Sequence, residues 1–150
     1  MKSIFSLSLM ALGFVALSAS VHAADVKITM LNNNATGSIL IYEPAFVKVN
    51  LGDTVTFVSG QMGGHNSRSL LTPQGAKPFL TETDKALTYK IEKEGVYLFA
   101  CDPHKALGMV GVIQAGKPVN LVEAKKVATD EQSKFAMNKD AYSKLLAQVK

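Results

Sequence analysis

The sequence predicts a mainly β domain, a sandwich or barrel of short strands followed by a helical tail. Short alternating or β-branched runs, each ended by turn residues, fill Asp25 to Ala115. After Gly116-Lys117-Pro118 the apolar residues recur at helical spacing instead. Composition is that of one ordinary globular domain: 150 residues, 47% apolar, 19% charged and a net charge of +4. It excludes disorder and collagen-like repeats. A single cysteine cannot close an intramolecular disulfide, and no apolar run after residue 23 reaches the ~18 residues of a spanning helix. A disulfide scaffold and a membrane-spanning body are excluded as well.

Residues 1–23 read as a secretory signal peptide. Lys2 supplies the positive start, Ile4 to Leu17 an apolar run, and Val21-His22-Ala23 the small residue at which signal peptidase cuts. Cleavage after Ala23 leaves residues 24–150 as one domain, with the sandwich in 24–116 and the tail in 117–150.

Each strand has a local reason. Val26 to Leu31 alternates apolar and polar before Asn32-Asn33-Asn34-Ala35-Thr36-Gly37 breaks it. Ile39 to Tyr42 and Phe46 to Val49 flank Pro44, and Gly52-Asp53 turns the chain into Thr54–Val58. Ser59 to Pro78 is rich in Gly, Ser, Asn and Pro, which predicts a long surface excursion. Leu87 to Ile91 follows. Val96 to Ala100 is almost continuously apolar and runs into Cys101, and Val110 to Ile113 closes the set. In the tail, Asn120 with Glu123 and Thr129 with Gln132 fit capping boxes, and Phe135, Tyr142, Leu145, Leu146 and Val149 keep helical spacing, which predicts one short and one longer helix.

Charge is divided along the same boundary. Residues 24–116 hold 8 basic and 8 acidic side chains, residues 117–150 hold 7 and 4. With no clustered basic stripe, nucleic-acid binding is not expected.

Chemistry concentrates in Cys101-Asp102-Pro103-His104-Lys105-Ala106-Leu107-Gly108-Met109. A thiol, an imidazole and a thioether fall within nine residues of a loop between two strands. These are ligand types that suit copper, which takes a thiolate and imidazoles in a trigonal plane with a weak axial sulfur. One more imidazole is needed, and beyond the signal peptide the chain has only one other histidine, His65 in Gly63-Gly64-His65-Asn66. Singly, a Cys after an apolar strand is usually a buried hydrophobe and a Met is usually core filler. Their joint placement on loops of a β-rich body favours copper. Zinc is the competing metal, although structural zinc sites seldom use Met and usually employ more than one Cys.

The run Cys101-x-Pro103-His104-x-x-x-Gly108-Met109-Val110-Gly111 resembles the ligand loop of the cupredoxins, the small blue copper proteins, and above all of the pseudoazurin and plastocyanin groups. Gly95-Val96-Tyr97, Gly52-Asp53-Thr54 and Gly64-His65-Asn66 fit too. The 36-residue step from His65 to Cys101, the Tyr42-Glu43-Pro44-Ala45 segment and the helical tail favour the pseudoazurin group.

The resemblance implies a cupredoxin-like Greek-key β-sandwich with His65, Cys101, His104 and Met109 as ligands of one copper ion cycling between Cu(II) and Cu(I). It implies that Asn66 ties the His65 loop to the Cys101 loop, and that Pro103 keeps a backbone N–H away from the thiolate. Asp102 and Lys105 depart from the pattern and leave docking open. The implied role is not enzymatic: a periplasmic, monomeric one-electron carrier, taking electrons from cytochrome bc1 or a c-type cytochrome and giving them to copper or haem nitrite reductase or nitrous oxide reductase. The alternative is a periplasmic protein for copper delivery or buffering. Lys105, with Arg68 and Lys77 of the long loop, is expected to place three positive charges around the apolar patch at His104.

Overall fold

The computed structural model describes residues 23–150, so the expected signal peptide lies, apart from Ala23, outside the described residues. Two four-stranded sheets face each other. One has the order β2-β1-β4-β6, from β1 (Asp25–Asn33), β2 (Ile39–Glu43), β4 (Thr54–Ser59) and β6 (Leu87–Lys90). The other has the order β3-β8-β7-β5, from β3 (Phe46–Val49), β5 (Arg68–Leu71), β7 (Gly95–Ala100) and β8 (Val110–Ala115). Pairing is mixed: β1 runs parallel to β4 and β3 parallel to β8, while the other neighbours are antiparallel.

The alternation read from the sequence is the alternation of the pleat. Ile28 and Met30 of β1 and Val55 and Phe57 of β4 point inward and are fully buried. They meet Tyr42, Val47, Tyr97, Phe99 and Ile113 in one apolar core that also holds Cys101 and Met109. Phe99 sits at its centre, 4.8 Å from the Tyr42 ring and 5.2 Å from the Phe57 ring, both edge-on. A ring buried this completely stabilises the fold by about 1.5–3 kcal/mol in transfer free energy alone. Gly111 of β8 makes room for it, since a Cβ there would run into the Phe99 ring.

Strand β7 is apolar at nearly every position because both of its faces are covered. Tyr97 and Phe99 face the sandwich core, whereas Val96, Leu98 and Ala100 face a second core closed by α1 (Leu121–Gln132) and α2 (Ala141–Leu146). Ala124, Ala128, Phe135, Tyr142 and Leu146 supply the tail's side of that layer. The Tyr142 hydroxyl donates to the Phe99 carbonyl at 2.9 Å, so the one polar atom of this buried ring is paired.

Two local expectations need correction. The stretch Ser59 to Pro78 contains β5, a four-residue edge strand on β7 whose Arg-Ser-Leu-Leu sequence lacks alternation. In the tail, Thr129 and Gln132 do not cap a helix start: α1 runs through both, and its 12 residues make it the longer helix against 6 in α2. Asn120 precedes α1 without capping it through its side chain; its amide instead accepts from the Val96 N–H at 2.7 Å and donates to the Val96 carbonyl at 3.0 Å. That side chain pins the helix to β7, a tertiary use that local sequence cannot show.

Candidate metal centre

The four sequence-selected side chains arrive from two loops at one end of the sandwich. His65 lies in the loop after β4, Cys101 directly follows β7, His104 is three residues on, and Met109 directly precedes β8. The Cys101 N–H donates to the Met109 carbonyl at 3.0 Å, continuing the β7–β8 ladder, so the two stems of the loop stay side by side. Between them Lys105–Leu107 forms one turn of 3-10 helix. It ends at Gly108, whose φ of 80° is the left-handed conformation glycine adopts without strain.

Three potential donor atoms converge. The Cys101 Sγ is 3.4 Å from His104 Nδ1 and 3.9 Å from His65 Nδ1, and the two imidazole rings lie 4.9 Å apart between centroids. Among the described residues, His65, Cys101 and His104 form the metal-capable cluster, with ligand atoms within 4.8 Å of one another. His65, Cys101 and Met109 are wholly buried, and His104 is half-buried.

Two residues that sequence reasoning missed hold His65. Asn32, at the end of β1, places its Oδ1 2.9 Å from His65 Nε2 while its Nδ2 donates to the Met62 carbonyl at 3.1 Å. Because an amide oxygen only accepts, Nε2 carries the proton and Nδ1 presents its lone pair toward Cys101. Asp84 grips the backbone: its carboxylate accepts from the N–H groups of Gly64 at 3.0 Å and His65 at 2.9 Å, and its own N–H donates to the His65 carbonyl at 2.7 Å. Asp84 has a φ of 54°, a conformation that Asp and Asn tolerate better than most residues. In the sequence Asn32 is one of three successive asparagines in a turn-like run, which gives no hint of its partner.

Asn66 does link the two loops. Its Oδ1 accepts from the Asp102 N–H at 2.7 Å and its Nδ2 donates to Asp102 Oδ2 at 2.9 Å. Arg68 Nε reaches the same oxygen at 2.9 Å. Lys105 Nζ is 2.7 Å from Glu131 Oε2. Two of the three positive charges expected to ring His104 are therefore paired with carboxylates, and the third, Lys77, is exposed.

Burial dominates the proton equilibria. It pushes the Cys101 thiol up, against the backbone N–H groups of Asn66 and His104, which favour the thiolate. Burial, reinforced by His104, lowers His65 and so favours its neutral form, with Asp84 opposing. A buried thiol beside imidazole nitrogens suits a soft or borderline cation, whose charge compensates a thiolate that the apolar surroundings disfavour.

A family model described as copper binding proteins, plastocyanin/azurin family, matches residues 28–116. The chain belongs to that family. Its relatives include the pseudoazurin of Paracoccus pantotrophus, 33% identical over 136 residues and covering 89% of this chain and 92% of the relative. Another is the pseudoazurin of Methylorubrum extorquens, 35% identical over 118 residues and covering 75% and 78%. Among solved structures, pseudoazurin from Hyphomicrobium denitrificans superposes with a TM-score of 0.71 at 33% identity, covering 84% of this chain and 98% of that one. The fold is thus the cupredoxin fold, the cofactor of this plastocyanin/azurin family member is copper, and the family's protein type is a copper electron carrier.

Proposed function

We propose that His65, Cys101, His104 and Met109 hold one copper ion, and that the protein is an exported, periplasmic one-electron carrier rather than an enzyme. The observation that supports this most directly is the convergence of one sulfur and two imidazole nitrogens within 4.8 Å beside a buried Met109. Bound copper would supply a one-electron couple, with no bond made or broken in a partner.

The protein's part is to hold its donors still. Cys101 gives up its proton on metal binding, and the N–H groups of Asn66 and His104 support the sulfur left behind. Asn32 keeps the His65 proton on Nε2. Tyr42, Phe57 and Phe99 share one buried apolar core with Cys101 and Met109. Donors fixed in advance need little rearrangement between the two oxidation states, which is what fast exchange of an electron requires. His104, half-buried where His65 is sealed, is the ring through which the electron enters and leaves. A buried donor set of this kind serves a carrier better than copper delivery or buffering, which needs ligands a second protein can reach.

The partners we assign are a c-type cytochrome or cytochrome bc1 on the donating side and a nitrite or nitrous oxide reductase on the accepting side. Copper-loaded protein should show an intense thiolate-to-copper band in the visible region and pass electrons to a purified reductase in a steady-state assay. A colourless copper complex would remove the ligand assignment; a coloured protein inert toward these reductases would remove the partner assignment alone.

A further inference from the structure

The four residues between His104 and Met109 are each held from outside by the C-terminal tail. Lys105 Nζ pairs with Glu131 Oε2 at 2.7 Å. The Ala106 carbonyl accepts from the Ala136 N–H at 2.7 Å, and the Leu107 carbonyl accepts from Asn138 Nδ2 at 3.0 Å. Gly108 lies so close beneath Asn138 that a Cβ would fall 2.6 Å from the Asn138 Cβ and 3.2 Å from the Met137 and Asn138 carbonyl oxygens. None of these contacts belongs to the sandwich. Carbonyls at the end of a 3-10 turn lack partners within it, and the tail provides the donors.

We propose that Asn138 and Glu131 are positioning residues for the metal loop, fixing the separation of His104 and Met109 through the turn that joins them. The proposal rests on the ligand assignment above for its consequence at copper, but not for the clamp itself. Asn138 is suited to the place in two ways. Its φ of 45° is a left-handed conformation that asparagine tolerates, and its amide then reaches back to Leu107. Glu131 is also shared: its Oε1 takes Lys134 at 2.8 Å, so its carboxylate is oriented before it meets Lys105. The two contacts sit at opposite ends of the turn and oppose its unwinding.

The test uses Asn138→Gly, which keeps the backbone conformation but loses the amide, alone and combined with Glu131→Gln. Amide hydrogen exchange is followed in the copper-free protein, where the ligand assignment plays no part. The N–H groups of Leu107, Gly108 and Ala136 should exchange about tenfold faster or more in the double variant, with Val112 in the core unchanged. In the copper-loaded protein the thiolate-to-copper band should shift in energy and copper should pass to a chelator several times faster than from the parent. Lys126→Gln, which breaks an exposed pair with Asp130 on the far side of α1, should change none of these. Unchanged exchange at Leu107 and Gly108, or an equal rise at Val112, would overturn the clamp. Should Asn138→Gly fail to fold, Glu131→Gln alone decides it by the same amides. A parent protein without the visible band would instead defeat the ligand assignment and leave the exchange result standing.

Discussion

Asn32 Oδ1 accepts a hydrogen bond from His65 Nε2 at 2.9 Å, so a residue at the end of the first strand decides which nitrogen of a histidine in a distant loop faces the sulfur. The arrangement needs β1 and β4 in parallel register, with Met30 opposite Ser59, so that the strand end and the loop meet. Replacing Asn32 by Leu should remove the acceptor and free the ring to flip. Copper affinity should fall by about 10- to 100-fold, the usual cost of losing the partner of a metal-binding histidine. Competition with a copper chelator measures it, and parental affinity in the variant would show that the hydrogen bond does not set the tautomer.

Cys101 and Met109 should differ in kind when replaced. Cys101→Ser removes the chain's only thiol and should abolish the visible band, whereas Met109→Gln should keep a coloured site with a changed hue and a lower reduction potential, because in the proposed donor set the thioether tunes the centre without creating it. Spectroscopy and redox titration of the two variants check this. His65→Ala should lose copper during dialysis that the parent survives.

Asp53 offers a test by pH. Its two oxygens accept from the N–H groups of Asn50 at 2.7 Å and Ala24 at 2.8 Å, and these bonds hold its carboxyl below the usual range, Asn50 contributing most. A lowered folded-state value means stabilisation that is complete above the ordinary carboxylate pKa of ~3.9 and is lost as pH falls through the lower folded value. The melting temperature of the parent should therefore exceed that of Asp53→Asn at pH 7, and the difference should narrow as the pH is lowered below ~3.9. With cleavage after Ala23 the nitrogen at Ala24 is an ammonium, which strengthens the bond; protein starting at Ala24 should melt above protein carrying extra residues before it.

Docking should respond to the exposed Lys77 more than to the ion-paired Arg68 and Lys105. Lys77 is exposed, while Arg68 is paired with Asp102 and Lys105 with Glu131. Lys77→Glu should slow second-order electron transfer to an acidic redox partner by roughly three- to tenfold at low salt, converging on the parent rate as the ionic strength shortens the screening length to ~8 Å. Arg68→Gln should change the rate less, because it alters the charge by one unit where Lys77→Glu alters it by two. Stopped-flow traces across a salt series distinguish the two. Equal rates for Lys77→Glu and parent at every ionic strength would exclude a basic docking edge at this loop.

The body of the fold was legible because its strands carry a period of two, and the candidate metal loop because its donor-type residues are close in the chain and rare elsewhere. Val55 and Phe57 declare an inward face; Cys101, His104 and Met109 declare a cluster. What stayed hidden depends on contacts across long separations. Asn32 and Asp84 look like turn residues until the sheets bring them to His65. Strand β5 has its backbone satisfied by β7 and its side chains only half-buried, so no pattern marks it. The capping box at Thr129 failed because a sequence match does not show whether the helix has already begun; α1 starts eight residues earlier, where Asn120 serves β7 instead.

The stems of the metal loop are stitched together by the Cys101–Met109 hydrogen bond, and its outer side is met residue by residue by the tail. An insertion or deletion between His104 and Met109 would put every later contact out of step with the segment Glu131–Asn138. Descent can then vary the length of this loop only together with the tail, so that two stretches far apart in the chain are inherited as one unit.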